Sequence, residues 1–157
     1  MTLRETYTAI EAIATQVPDV RTVVENDITR LNEMREAQYG VFGITQEQHS
    51  GSQGWMTYTL NLFFIDRLLN SQDNEVQIQS HAIDVLRAIV IRMQEEGIPV
   101  ADSVRYTAFT ERFQDLCAGA WAVVTIQTPA SDCNDIWVVQ PGEPAAFDSD
   151  FNEDFDI

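Results

Sequence analysis

Lysine is absent from this sequence, and all nine of its basic residues are arginine. Against them stand 25 acids, giving a formal net charge of −16. Nucleic acids and anionic membranes are held by cationic side chains that neutralise phosphates, so this charge balance argues against binding either. Cysteine is almost as scarce. Cys117 and Cys133 are too few for a disulfide framework, their spacing fits no zinc pattern, and only His49 and His81 could add imidazole ligands. Two buried thiols are expected, and no metal or other cofactor. No apolar run approaches the roughly 20 residues that cross a bilayer. The opening Met1-Thr2-Leu3-Arg4-Glu5 leads into an amphipathic pattern instead of a signal peptide's unbroken apolar stretch. A cytoplasmic origin is the expectation, with no membrane partner.

Catalytic signatures are missing as well. A nucleophilic site needs a Ser, Cys or Thr beside a positioned base. The two histidines fall in a glycine-bearing segment and in the middle of a helical pattern, and no Gly-x-Ser-x-Gly elbow is present. With 25 acids in the chain, any pair of carboxylates is uninformative about glycosidase-like chemistry. Asp66 and Arg67 stand together at a strand end, where a surface or interface ion pair is the plainer reading. These observations favour a non-enzyme.

What is present is the pattern of a single α+β domain. At 157 residues the chain is long enough for one real core. Thr2 and Glu5 have capping-box spacing, and Leu3, Tyr7, Ile10, Ile13, Ala14 and Val17 form one apolar stripe on a helix ending near Pro18. Val20–Val24 reads as extended, Ile28–Leu31 as a helical turn, and Gln38–Thr45 as a strand weakened by Gly40 and Gly43. Glu47–Gly54 is a polar loop, best taken as a hairpin connection. Trp55–Asp66 alternates strictly, with Met56, Tyr58, Leu60, Leu62 and Phe64 on one side and Thr57, Thr59 and Asn61 on the other. Trp55 and Phe63 add aromatic area to that polar side, so either a helix covers it or the hairpin projects toward another subunit.

A second helix is expected from about Glu75 to Glu96, with Asp73 or Asn74 as its N-cap. Ile78, Ala82, Val85, Leu86, Ile89, Val90 and Met93 would form its apolar face, Gly97 its stop, and Pro99 the bar to its resumption. Val104–Phe113 and Ala120–Gln127 read as strands, with Cys117-Ala118-Gly119 as a tight connection or bulge between them, and Ile136–Val139 as a short closing strand. The order helix, strands, long helix, strands predicts an antiparallel sheet with helices packed on one face, over residues 1–140.

Residues 141–157 differ in kind. Phe147, Phe151 and Phe155 recur every four residues among acids, and no base follows Arg112 while nine acids do. More than half the net charge therefore sits in the last 45 residues of the chain. Such a composition stays loose in isolation, yet three exposed phenylalanines suit an arm that docks its rings on a neighbour better than a mere solubilising tail.

Leu60-Asn61-Leu62-Phe63-Phe64-Ile65-Asp66-Arg67-Leu68 running into Asn74-Glu75-Val76-Gln77-Ile78-Gln79-Ser80 resembles the strand–turn–helix of tail-terminator-like virion proteins. Phe109–Gly119 followed by Val123-Val124-Thr125-Ile126 is similar to their later hairpin. The likeness is to neck and tail ring proteins of tailed bacteriophages, particularly crAss-like phages. It implies an α+β sheet with helices on one side. It also implies a homo-oligomeric ring at the head–tail junction, acting as adaptor or terminator in the virion. Adjacent neck, tail or portal proteins would be its partners, and DNA would pass through without specific binding. An electronegative wall suits that passage, because it does not grip phosphates. Trp55, Phe63, Asp66, Arg67, Phe147, Phe151 and Phe155 are the candidate interface residues. A competing reading is an acidic DNA mimic that occupies a DNA-binding enzyme. On the ring reading, deleting residues 143–157 is expected to leave the fold intact and to weaken assembly; unchanged incorporation into particles would refute the docking arm.

Overall fold

The computed structural model describes residues 1–25, 38–52, 54–68, 73–112 and 116–130. The helical turn expected at Ile28–Leu31, the strand at Ile136–Val139, Cys133 and the arm from residue 141 lie outside the described residues.

Helix α1 (Leu3–Ala14) opens on the expected capping box. The Glu5 amide donates to Thr2 Oγ1 at 3.2 Å, and the Thr2 amide donates back to Glu5 Oε2 at 2.7 Å. Two orphan donors of the first turn are thereby satisfied. The backbone donor of Thr2 also holds the Glu5 carboxyl below its ordinary range. Strand β1 (Thr22–Glu25) follows, then a long hairpin of β2 (Val41–Ser52) and β3 (Trp55–Arg67). Helix α2 (Glu75–Glu95), strand β4 (Arg105–Arg112) and strand β5 (Leu116–Pro129) complete the described elements. Gly97, at φ 81°, stops α2 as its position demands.

The sheet order is β1-β2-β3-β5-β4. Three neighbouring pairs are antiparallel, but β1 runs parallel to β2, with Thr22 opposite Val41 and Glu25 opposite Ile44. The expected all-antiparallel sheet is therefore a mixed one. Direction along the sheet is set by how the chain returns between strands, and strand composition carries no trace of it. Both β3 and β4 are antiparallel to β5, hence parallel to each other, and α2 is the crossover that joins them past β5.

Two further boundaries differ from expectation. Residues 47–52, read as loop, continue β2 to Ser52, and β3 starts at Trp55, directly after Gly54 at φ 81°. These polar residues have little strand propensity of their own; pairing with β3 from Gln48 opposite Thr59 to Ser52 opposite Trp55 extends them. The ladder slips once, between Gln46 and Gln48, around Glu47. Cys117-Ala118-Gly119, read as a tight connection or bulge, lies inside β5 in regular register, opposite Arg67, Asp66 and Ile65. Its glycine serves close packing: a Cβ there would lie 2.1 Å from the Phe64 carbonyl oxygen.

Both helices pack on the first face of the sheet. Ile10 and Ile13 of α1 and Leu86, Ile89 and Met93 of α2 are buried against Phe42, Ile44, Leu60, Leu62, Phe64, Val124 and Ile126. Each large side chain removed from water here contributes about 1.5–3 kcal/mol. A smaller cluster, Val24, Val41, Phe63 and Ile65 with Phe109 against it, lies on the second face.

Phe63 lies over Gly43 so closely that a Cβ on the glycine would come within 2.0 Å of the ring's Cζ. Gly43→Ala is therefore expected to cost about 1–3 kcal/mol through displacement of that ring. In urea denaturation the double variant Gly43→Ala/Phe63→Leu should lose less than the sum of the two single changes, and strict additivity would show that the ring does not set the cost.

Candidate functional site

Among the described residues, the sequence-derived interface residues Trp55, Phe63, Asp66 and Arg67 do not form one site. Trp55 stands at the hairpin tip, opposite Ser52 and Pro129, and is 52% exposed. Asp66 and Arg67 lie at the far end of the same strand, about 40 Å away at the usual rise per residue. There the Arg67 amide donates to Asp66 Oδ1 at 2.7 Å, and the Arg67 guanidinium lies over the Tyr39 ring, 5.8 Å from its centroid. Phe63 is 2% exposed, so its ring is used within the subunit and does not face a partner. Its burial follows from Gly43, whose missing side chain leaves the space the ring fills. Phe147, Phe151 and Phe155 lie outside the described residues.

The second face of the sheet brings together what the sequence left apart. Trp121 is the Cα partner of both Phe63 on β3 and Thr107 on β4, and Gly119 is the partner of both Ile65 and Phe109. Residues paired across a ladder share a face, so Phe63, Ile65, Phe109 and Trp121 form one aromatic–aliphatic patch. The Phe109 and Trp121 rings meet at 5.4 Å between centroids, tilted by 36°. Trp121 remains 40% exposed. The available signal was the alternation of β5: Ala120, Ala122, Val124 and Ile126 are buried on the first face, which leaves Trp121 pointing the other way.

Toward the hairpin tip the same face turns polar without becoming charged. Thr57, Thr59 and Asn61 of β3 pair with Gln127, Thr125 and Val123 of β5, and with Ser50, Gln48 and Thr45 of β2. Among these face positions none is ionisable, in a chain with 22% charged residues. Edge strand β4 places Arg105 beside Val123 on the same face, and the side chain is exposed.

Charge gathers elsewhere. On α1 the Arg4 guanidinium reaches Glu25 at 3.4 Å, and the Glu11 carboxyl interacts with the same carboxylate. Partial burial, and then this second carboxylate, push the Glu11 carboxyl above its ordinary range, while Arg4 opposes them. Burial likewise raises the Tyr7 hydroxyl beside them. The histidines serve different neighbourhoods. His49 Nε2 lies 3.0 Å from Gln46 Oε1 and its ring meets Tyr58 edge-on, whereas His81 lies 3.5 Å from Asp19 and edge-on to Phe64. Among the described residues no group of three or more His, Cys, Asp or Glu side chains could hold a metal ion, and no helix is long and apolar enough to cross a membrane.

No protein-family model matches the chain, and no curated protein matches it.

The Glu11–Glu25 pair generates a pH dependence of known sign. A carboxyl raised in the folded state binds its proton more tightly there than in the unfolded chain. Its stabilising share is therefore complete below the ordinary carboxylate pKa and is lost as pH rises through the raised value. Glu11→Gln keeps a donor toward Glu25 at every pH. It should stabilise the fold at about pH 7 by a few tenths to about 1 kcal/mol, solvent screening a group this exposed. The gain should vanish near about pH 4, where wild-type Glu11 is itself protonated. Thermal melts at the two pH values check this; equal gains at both would contradict it.

Proposed function

We propose that this chain is a structural virion protein that forms a homo-oligomeric ring at the neck or tail of a tailed bacteriophage, around the DNA channel. The observation that carries the reading is the run of uncharged positions that β2, β3 and β5 present toward the hairpin tip on the second face, in a chain of net charge −16. Identical acidic subunits repel one another, so a stable assembly must bring them together where charge is absent and direct acids elsewhere. Acids directed toward a channel repel phosphates, which lets DNA slide past without being held. The segments that resemble neck and tail ring proteins fall on consecutive elements, β3 into α2 and β4 into β5. That order supports the same assignment.

In this reading the ring contacts are heterologous, one surface of a subunit meeting a different surface of the next. The hairpin tip with Trp55 and the Asp66–Arg67 end lie at opposite ends of β3, as head-to-tail contacts require. Arginine suits such contacts, because its planar fork pairs bidentately with carboxylates. Adjacent neck, tail or portal proteins would dock above and below.

The expected result of mass photometry and electron microscopy on the purified full chain is a closed ring, with the same protein present in virions. A strict monomer absent from particles would exclude the ring. If that monomer also displaced DNA from a DNA-binding enzyme, the acidic DNA-mimic reading would take its place.

A further inference from the structure

The Phe109–Trp121 patch is a partly exposed aromatic surface with a cation beside it. Phe109 is half-buried against Ile65 and Phe63, and Trp121 is 40% exposed in the single chain. Exposed Arg105 stands on the same face, one register step toward the tip. At the other end of the patch, register places Arg67 on this face beside Cys117, with Glu111 at the adjoining position of β4. The site asks for an apolar ligand, preferably one carrying negative charge.

This chain contains such a ligand. Phe147, Phe151 and Phe155 stand among Asp148, Asp150, Glu153, Asp154 and Asp156. Rings four residues apart share a face in either helix or strand. Aromatic side chains of this size bury about 150–250 Å² each, so three of them could supply a substantial part of one side of an ordinary interface. Strand β5 ends at Pro129, and the Ala130 amide donates to the Gly54 carbonyl at the hairpin tip. From that tip to Trp121 is eight residues of β5, about 26 Å.

We propose that the Phe109–Trp121 patch of one copy receives the C-terminal arm, residues 143–157, of a second copy. The inference rests on the ring reading above and specifies which surfaces meet in it. It is a heterologous contact, arm to patch, so it propagates around a ring and leaves each subunit one arm to give and one patch to fill. Edge-to-face and offset contacts between the arm's rings and Trp121 would provide the grip, and Arg105 would select an acidic arm over a neutral one.

Complementation between two full-length variants tests it. One carries Phe147→Ala, Phe151→Ala and Phe155→Ala, and so offers a patch but no arm. The other carries Trp121→Ala, and so offers an arm but no patch. Each alone should self-associate at least about tenfold more weakly than wild type in sedimentation velocity, the loss expected when aromatic anchors are truncated. Mixed, the two should form one-to-one pairs that grow no further, because each pair retains only one matched arm and patch. The arm variant changes no described core residue, so its result stands even if Trp121→Ala unfolds. Wild-type-like assembly of the arm variant would overturn the inference while leaving the ring intact. If both variants are weakened but form no pairs on mixing, trans docking is overturned in favour of an arm folded on its own subunit. A wild-type chain that stays monomeric overturns the ring reading itself.

Discussion

Strand β3 is paired on both sides from Trp55, opposite Ser52 and Pro129, to Ile65, opposite Val41 and Gly119. Every other part of the structure takes its position from that central strand. Two glycines make the close pairing possible. Gly43 on one side leaves room for the Phe63 ring, and Gly119 on the other lets β5 approach the backbone of Phe64 and the side chain of Ile65. A side chain at either position would force the strands or rings apart, and the penalty would fall on both faces at once because neighbouring residues of β3 point to opposite sides. The first face, with Leu60, Leu62 and Phe64, then receives both helices.

The asymmetry between the two faces gives the protein its character. One is sealed by α1 and α2; the other carries an aromatic patch that grades into threonine, asparagine and glutamine. Hydroxyl and amide groups remain hydrated at small cost and do not repel an identical copy, whereas carboxylates would. Net charge of this magnitude keeps a protein soluble and apart from its copies, so any self-assembly depends on where the charge is withheld. Here it is withheld from the second-face positions that β2, β3 and β5 pair toward the hairpin tip.

Several elements were legible because their signal is local. The capping box of α1, the apolar stripe of α2 with its Gly97 stop, and the alternation of β3 all arise from residues within a few positions of each other. The extension of β2 through Gln48–Ser52 was not legible, since those residues are strand only because β3 lies beside them. Gly119 read as part of a tight connection or bulge, the places glycine most often marks; its actual role, admitting the neighbouring strand, depends on Phe64 and Ile65, more than fifty positions earlier. The candidate interface fared unevenly for the same reason. Trp55 is exposed at a tip that any hairpin would expose, whereas the fate of Phe63 hinged on Gly43 across the ladder, and Trp121 gained its importance only through Phe109 on the next strand.

Charge, the helix stripes and the two-sided aromatic content of β3 and β5 were determined by the sequence alone, because each is a property of composition or of short-range periodicity. The parallel placement of β1, the side of the sheet that the helices cover, and hence which aromatic rings are buried and which remain open, were decided only by the tertiary structure. A strand with apolar residues on both faces has no local preference between them. The choice belongs to partners distant in sequence, through the packing they offer on one face and withhold from the other.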